Sequence, residues 1–206
     1  MNQSLNPLGR PVSRETLDRL TQFEDLVRKW NCAINLVAPG TLDQIWPRHI
    51  ADSAQLFDLA PENASSWVDL GSGGGFPGLV IAILAAAERP SLSMTLVESD
   101  RRKAAFLVTA AHGLGLAVAV RAERIEMIPP LEADVVSARA LTSLDGLLAH
   151  AERHLAVGGT CLFPKGATVD QELARALEHW RFSYQKVPSA TGADGVVLKI
   201  GDISRV

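Results

Sequence analysis

The residues best able to do chemistry in this chain gather around one turn. Val68-Asp69-Leu70 is an apolar strand carrying an acid, and Gly71-Ser72-Gly73-Gly74-Gly75-Phe76-Pro77-Gly78 follows at once. Glycine takes positive φ at little cost and lets a ligand lie against the backbone, and the fixed φ of Pro77 suits a first helical turn. A nucleotide-like ligand is expected on this strand-to-helix turn, with Asp69 beside the free backbone N–H groups of Gly71, Gly73 and Gly75. Leu96-Val97-Glu98 ends the next apolar run, and the two oxygens of a carboxylate there can accept both hydroxyls of a ribose. Arg101-Arg102-Lys103 follows directly, as a solvated helix face or a guide for phosphate. In Ala122-Glu123-Arg124-Ile125-Glu126, Ile125 offers an apolar face to a base, while Arg124 and Glu126 either join the site or pair with each other. Arg139 in Ser137-Ala138-Arg139-Ala140 and Lys165 in Phe163-Pro164-Lys165-Gly166 end two further apolar runs. Arg139 reads as a site residue or a structural salt bridge, and Lys165 as a phosphate contact or a surface lysine.

Reactive groups of other kinds are scarce. Cys161 has apolar neighbours and reads as a core residue, and Cys32 lies far from it without metal-ligand spacing, so no metal site is expected. His112, His150, His154 and His179 read as helix-surface or helix-end residues without carboxylate partners. His49 differs, because Arg48-His49-Ile50-Ala51-Asp52-Ser53 puts several polar groups within one helical turn. A local ion pair is the simple account, and a place in the cleft wall the sharper one.

These residues need a frame, and the sequence pattern supplies one. Ser13 can cap a helix whose Leu17, Leu20, Phe23, Val27, Trp30 and Ile34 form one apolar stripe. Thr41-Leu42-Asp43-Gln44 fits a capping box, and Pro47 should interrupt or restart a helix carrying Ile50, Ala54, Phe57 and Leu59. Residues 1–63 thus form a helical N-terminal region closed by Pro61-Glu62-Asn63, and residues 64–206 an α/β domain on which it packs. Strands are expected at 67–70, 92–98, 116–121, 133–138 and 159–163, and helices at 77–87, 101–112, 144–155 and 170–179. Gly113 and Gly158-Gly159 read as helix stops. Strand-helix alternation argues for a parallel sheet covered on both faces, with ligands outside the carboxyl ends of its strands. Segments 181–187 and 196–200, joined by Ser189 to Gly195, should add a terminal antiparallel hairpin.

Composition narrows the partners. The chain has 206 residues, 47% hydrophobic, enough for one α/β domain with a modest appendage. There is no run of eighteen apolar residues, and Met1 to Pro7 lacks a charged segment followed by an apolar one, so a cytoplasmic, non-membrane protein is expected. A net charge of −3 disfavours coating nucleic acid by electrostatics alone, yet leaves room for a local basic patch at one RNA site. Fifteen of the twenty basic residues are arginine, the better group for planar phosphate and base-edge contacts.

Two ligand classes compete for the turn. Gly73-x-Gly75-x-x-Gly78 with Glu98 beyond fits a dinucleotide fingerprint and an NAD-dependent oxidoreductase. The Asp69-x-Gly71-x-Gly73-x-Gly75 register instead resembles the S-adenosylmethionine turn of Rossmann-like methyltransferases, a group also marked by a terminal hairpin. A pyrophosphate would be repelled by so close a carboxylate, whereas a zwitterionic methionyl group can use it. A ribosome-associated module that binds S-adenosylmethionine without turnover is the other alternative. No Asn-Pro-Pro-aromatic or Asp-Pro-Pro-aromatic motif for amine methylation occurs, and Cys161 is a poor nucleophile for C5 methylation.

Several segments together resemble the RsmG (GidB) family of bacterial small-subunit ribosomal RNA guanine-N7 methyltransferases. They are Trp30-Asn31 with Asn35-Leu36, Arg48-His49-x-x-Asp52-Ser53, Asp69 to Gly78, Glu98 to Leu107, Arg124-Ile125-Glu126, Ser137 to Ala140, and Lys165-Gly166. The turn departs from the common Gly-Thr-Gly-x-Gly-Leu-Pro-Gly form at Ser72 and Phe76, keeping a hydroxyl and an apolar group. The resemblance implies cofactor contacts at Gly71, Phe76, Ile125, Glu126 and Arg139, and a guanosine in the 530 loop of 16S rRNA, guanosine 527 in the family's RNA numbering, as substrate. The expected cofactor is S-adenosyl-L-methionine and the expected partner 16S rRNA or the small ribosomal subunit, met by a monomer. Guanine N7 has a lone pair and no proton, so direct displacement needs no general base. Its ring becomes cationic on methylation, which places Arg139, the one catalytic candidate, on the cofactor carboxylate, an RNA phosphate or O6 and away from N7. Arg101, Arg102, Lys103, Arg124 and Lys165 are the expected RNA contacts.

Overall fold

The computed structural model describes residues 8–192 and 195–206. Helix α1, Arg14–Asn31, starts as its sequence dictates: Ser13 Oγ accepts from the Thr16 N–H at 3.1 Å. Leu20, Phe23 and Val27 of its apolar stripe are fully buried, each contributing about 1.5–3 kcal/mol by leaving water. The chain then makes a tight helical turn at Pro39–Gln44 and a wide one at Trp46–Ala51 before α2, Asp52–Leu59. Pro47 opens the wide turn, as its missing N–H allows. The capping box expected at Thr41 does not form. Pro39 opens a single tight turn there, and Thr41 lies inside it, donating from Oγ1 to the Ala38 carbonyl at 2.8 Å.

A strand-helix alternation follows: β1 Ser66–Leu70, α3 Gly78–Glu88, β2 Ser93–Val97, α4 Arg101–Gly113, β3 Val118–Arg121, β4 Ala133–Ala138, α5 Leu144–His154, β5 Leu155–Lys165 and α6 Val169–His179. The hairpin strands β6 Trp180–Pro188 and β7 Val196–Arg205 close it. The sheet runs β3-β2-β1-β4-β5-β7-β6, with its first five strands parallel and β7 antiparallel to both neighbours. The expected hairpin is therefore present, with its second strand slotted between β5 and β6. Ala193 and Asp194 of the connecting turn lie outside the described residues.

Each sheet face has its own core. One packs α1 to α4 against Trp67, Leu96, Val135 and Leu162; the other packs α5 and α6 against Val68, Leu70, Val136 and Phe163. The N-terminal helices thus share a core with α3 and α4. The strand order reverses between β1 and β4, where an open parallel sheet makes a crevice. In that register Asp69 pairs with Ser137 on one side and Leu96 on the other.

The stop expected at Gly158-Gly159 falls elsewhere. α5 ends at His154, and β5 runs through both glycines, with Gly158 at φ +77° and the pairing to β4 shifting between Ala133 and Val135. The pair marks a β-irregularity, for which glycine's missing Cβ also fits it.

Candidate active site

The turn after β1 is built on a buried acid. Asp69 is 0% exposed: Oδ1 accepts from Ser137 Oγ at 2.7 Å, and Oδ2 from the Gly78 N–H at 3.2 Å. Ser137 in turn accepts from Trp67 Nε1 at 2.9 Å. Burial pushes the Asp69 carboxyl up to about 6, opposed by the Ser137 and Gly78 hydrogen bonds and the Arg139 charge. Asp69, expected to meet the ligand, does not line the cavity: its side chain lies beneath the turn and fastens β1, β4 and the start of α3 together. Gly75 is also underneath, at φ +85°, where a Cβ would come within 2.7 Å of Leu79 Cδ1 and 3.1 Å of Phe23 Cζ.

Above the turn lies a cavity of about 730 Å³, within the size range of nucleotide-like ligands. Gly71, Gly73, Phe76, Glu98, Ile125, Glu126 and Arg139 line it, joined by Lys103 and Arg124. At Gly73, φ is +52° and a Cβ would meet only the Gly71 carbonyl at 3.7 Å, leaving the backbone open to a ligand. Glu98, 8% exposed, accepts from the Gly73 N–H at 2.9 Å and the Asp100 N–H at 2.7 Å. Its remaining lone pairs are available to hydroxyl donors. The cap of α4 is Asp100, accepting from the Arg102 and Lys103 N–H groups, which leaves Glu98 for the cavity.

Three side chains form the opposite wall. The Arg139 guanidinium carbon stands 5.3 Å from the Phe76 ring centre, and the His49 ring 5.2 Å from it. Arg139 Nη1 lies 2.7 Å from His49 Nδ1 and 3.3 Å from the Arg48 carbonyl. Burial pulls the Arg139 guanidinium below its usual value, opposed by Asp52 and Asp69. His49 therefore belongs to the cleft wall, the sharper of its two readings. Its pKa falls to about 4 through burial and the charges of Arg139 and Arg48.

The other expected basic residues divide. Arg101 and Arg102 are exposed on the first turn of α4, with Arg102 3.6 Å from Asp100, and neither lines the cavity. Lys165 is turned inward: its side chain is 9% exposed, with Nζ 2.8 Å from Glu172 Oε2 and 3.4 Å from the Thr142 carbonyl. Glu172 also accepts from the Leu144 N–H at 2.9 Å, so Lys165 braces the segment leading into α5. Two histidines, His150 and His179, have the carboxylate neighbours that were not expected, while His154 ends α5 as a helix-end residue. His154 is buried with Nε2 3.1 Å from the Ile125 carbonyl, His179 lies 3.1 Å from Asp145, and His150 lines the cavity 4.0 Å from Glu126.

Leu36, Val37 and Ala38 were not singled out by type, yet they complete the wall. Buried Asn31 holds them, its Oδ1 accepting from the Leu36 and Val37 N–H groups at 2.8 and 2.9 Å. A helix ending in asparagine just before an irregular segment was the available signal. Leu141 and Thr142 join the wall from beyond β4.

The donor set consists of glycine backbone, a carboxylate, a guanidinium and the apolar faces of Ile125 and Phe76. It suits a nucleoside joined to an amino-acid-like group. Among the described residues no cluster of side chains could hold a metal ion, and Cys161 is buried in β5 with its thiol pushed up by burial.

A family model described as rRNA small subunit methyltransferase G matches residues 16–197. The chain belongs to that family. Among its methyltransferase G relatives, the protein of Ruegeria pomeroyi is 57% identical over 195 residues, covering 95% of each chain. That of Ruegeria sp. (strain TM1040) is 50% identical over the full length of both, and that of Rhodospirillum centenum 53% identical over 94% of this chain and 87% of its own. Solved structures agree on the fold. A SAM-dependent methyltransferase from Aquifex aeolicus superposes with a TM-score of 0.60 at 13% identity, over 86% of this chain and 97% of that one. A mutant of MtNAS, in complex with S-adenosylmethionine, gives 0.60 at 15% identity over 90% of this chain and 75% of that one. The methyltransferase G assignment removes the oxidoreductase alternative, and the fold is that of the Rossmann-like methyltransferases.

Proposed function

We propose that this protein transfers a methyl group from S-adenosyl-L-methionine to N7 of a guanosine in the 530 loop of 16S rRNA, guanosine 527, without a general base. Family membership makes it a SAM-dependent rRNA methyltransferase; the nucleotide, the atom and the mechanism are our reading. The observation that carries it is how His49 and Glu98, the titratable groups in contact with Arg139 and the glycine turn, are occupied; Glu123, Glu126 and His150 line the cavity around Ile125, where this reading puts the adenine. His49 is engaged at both ring nitrogens, and both oxygens of Glu98 accept backbone N–H groups. Such a wall can orient a nucleophile that already has its lone pair better than it can deprotonate an amine.

Bound here, S-adenosyl-L-methionine supplies a methyl group made electrophilic by its sulfonium. In this reading Glu98 receives the ribose hydroxyls, Ile125 and the backbone around Glu126 receive the adenine, and Gly71 and Gly73 lie along the chain between. Arg139 holds the cofactor carboxylate, an RNA phosphate or guanine O6. Keeping it off N7 avoids opposing the cationic product. Catalysis is then alignment and exclusion of water by the Leu36–Ala38 and Ala140–Thr142 walls. Arg101, Arg102, Lys103 and Arg124 offer cations to the RNA, in a monomer acting on the small subunit in the cytoplasm; Lys165 serves indirectly, through its brace.

Mapping N7-methylguanosine in 16S rRNA from strains with and without the gene tests the reading. The mark should vanish at guanosine 527 alone and return with the wild-type gene but not with an Arg139→Ala variant. An unaltered methylation map overturns the assignment.

A further inference from the structure

Arg-His-x-x-Asp-Ser at positions 48–53 is the sequence motif with least account in this reading, and its histidine sits in a directed chain of hydrogen bonds. Arginine has donors only, so Arg139 Nη1, at 2.7 Å, must give its hydrogen to His49 Nδ1. Nδ1 is then the bare nitrogen and Nε2 carries the proton. Nε2 stands 2.9 Å from Thr41 Oγ1, and Thr41's own hydrogen is committed to the Ala38 carbonyl at 2.8 Å. Each link has one possible direction: Arg139 to His49, His49 to Thr41, Thr41 to Ala38.

We infer that His49 is a positioning residue which fixes the Arg139 guanidinium by accepting at Nδ1, and which ties it through Thr41 to the Ala38 wall of the same cavity. The inference deepens the proposed function, because it takes Arg139 to be the group that meets the cofactor or RNA. Among the described residues Arg139 has no carboxylate within salt-bridge distance, and its other fixed contacts are the Arg48 carbonyl and the face of Phe76. With Nη1 anchored on a neutral acceptor, its positive charge and remaining N–H groups stay available to an anion. A carboxylate in His49's place would neutralise the group it aims.

The arrangement works only while the imidazole is neutral, since a proton on Nδ1 would face the guanidinium hydrogen. The charged groups around His49 are Arg48 and Asp52 on its own helical segment and Arg139 from the end of β4, with Asp69 beneath Arg139. Burial and the two arginines hold the ring neutral to about pH 4, well below the usual histidine range. Asp52 is engaged by Ser189 Oγ at 2.8 Å and by the Thr191 hydroxyl, so the connection before β7 occupies that acid.

Histidine-selective nitrogen NMR of the wild-type protein without ligand reads this directly, with the His49 signals assigned by their loss in His49→Asn. The expected result is a bare Nδ1 and a protonated Nε2 persisting below pH 5. A proton on Nδ1, or an ordinary titration near 6.5, overturns the inference. Calorimetry with S-adenosylhomocysteine gives a second readout. His49→Phe keeps a ring beside Phe76 and should weaken binding at least tenfold; His49→Asn, whose Oδ1 can accept near the Nδ1 position, should recover most of it. On an Arg139→Ala background the His49→Phe loss should disappear, and its persistence there overturns the positioning role. Should Arg139→Ala itself bind the product as wild type does while the tautomer is as expected, the cofactor-contact reading of Arg139 fails and its tether to His49 stands.

Discussion

At the scale of single residues, the two acids of the site do opposite jobs. Glu98 faces the cavity while holding the Gly73 N–H, so Glu98→Ala should weaken S-adenosylhomocysteine binding by about 1–3 kcal/mol in calorimetry. Wild-type affinity in that variant would make Glu98 a brace only. Asp69 is raised to about 6 by burial, so the folded protein holds that proton more tightly than the unfolded chain does. Its contribution to stability is complete below the ordinary aspartate range, near 4, and is lost as pH rises through 6. Urea unfolding should therefore show wild type losing ground to Asp69→Asn between pH 4 and 6.5, by up to roughly 3 kcal/mol. His49 has the opposite sign but is common to both proteins. A pH-independent gap would mean that Asp69 titrates normally. The sequence singled out both acids by their places at strand ends, but only packing separates them. Asp69 shares its register position with Ser137 and lies under α3, whereas Glu98 lies one residue past β2.

At the scale of elements, the glycine turn has two layers, and substitutions should separate them. Gly73→Val adds a side chain on the open, cavity side of a left-handed position, and should abolish S-adenosylhomocysteine binding in a protein that still folds. Gly75→Ala drives a methyl toward Leu79 and Phe23 at positive φ, and should destabilise the fold by about 2–4 kcal/mol, seen as a lower melting temperature. Equal melting temperatures for the two variants would mean that the lower layer yields. The helices and strands were largely legible because their apolar periods differ, as in the Leu20-Phe23-Val27 stripe of α1. The segments between them were not. The tight turn at Pro39–Gln44 contains a capping-box pattern that never caps, because Pro39 opens the turn two residues earlier and Thr41 Oγ1, inside it, donates to the Ala38 carbonyl and accepts from His49. Gly158-Gly159 carries the same local signal whether a helix stops or a strand bulges, and only pairing with β4 decides.

At the scale of the whole molecule, a protein of net charge −3 must find RNA through a local field. Lys103 and Arg124 line the cavity beside Glu123 and Glu126, with Arg101 and Arg102 exposed on the adjoining turn of α4, so in the proposed function these four cations are the ones that would draw RNA to the site. Methylation at low RNA concentration should fall as salt rises while affinity for S-adenosylhomocysteine stays nearly constant, because RNA binding releases counterions. Reversing Arg101 and Arg102 to Glu should lower RNA affinity and flatten that salt slope. Wild-type behaviour in the double variant would send the RNA elsewhere. The parallel sheet and its terminal hairpin follow from the alternation and the hairpin signal, but the strand order and the wall contributed by Leu36–Ala38 required the elements to be seen docked. The place of β7 between β5 and β6 bears on how such a chain is made. Everything that shapes the cavity, from Leu36 to His150, is translated before Val196, so a nascent chain can assemble its binding turn while β5 and β6 still expose unpaired edges. Closing the sheet then falls to the strand that emerges after both, and a chain arrested short of it would present a finished pocket on a body whose open edges invite aggregation.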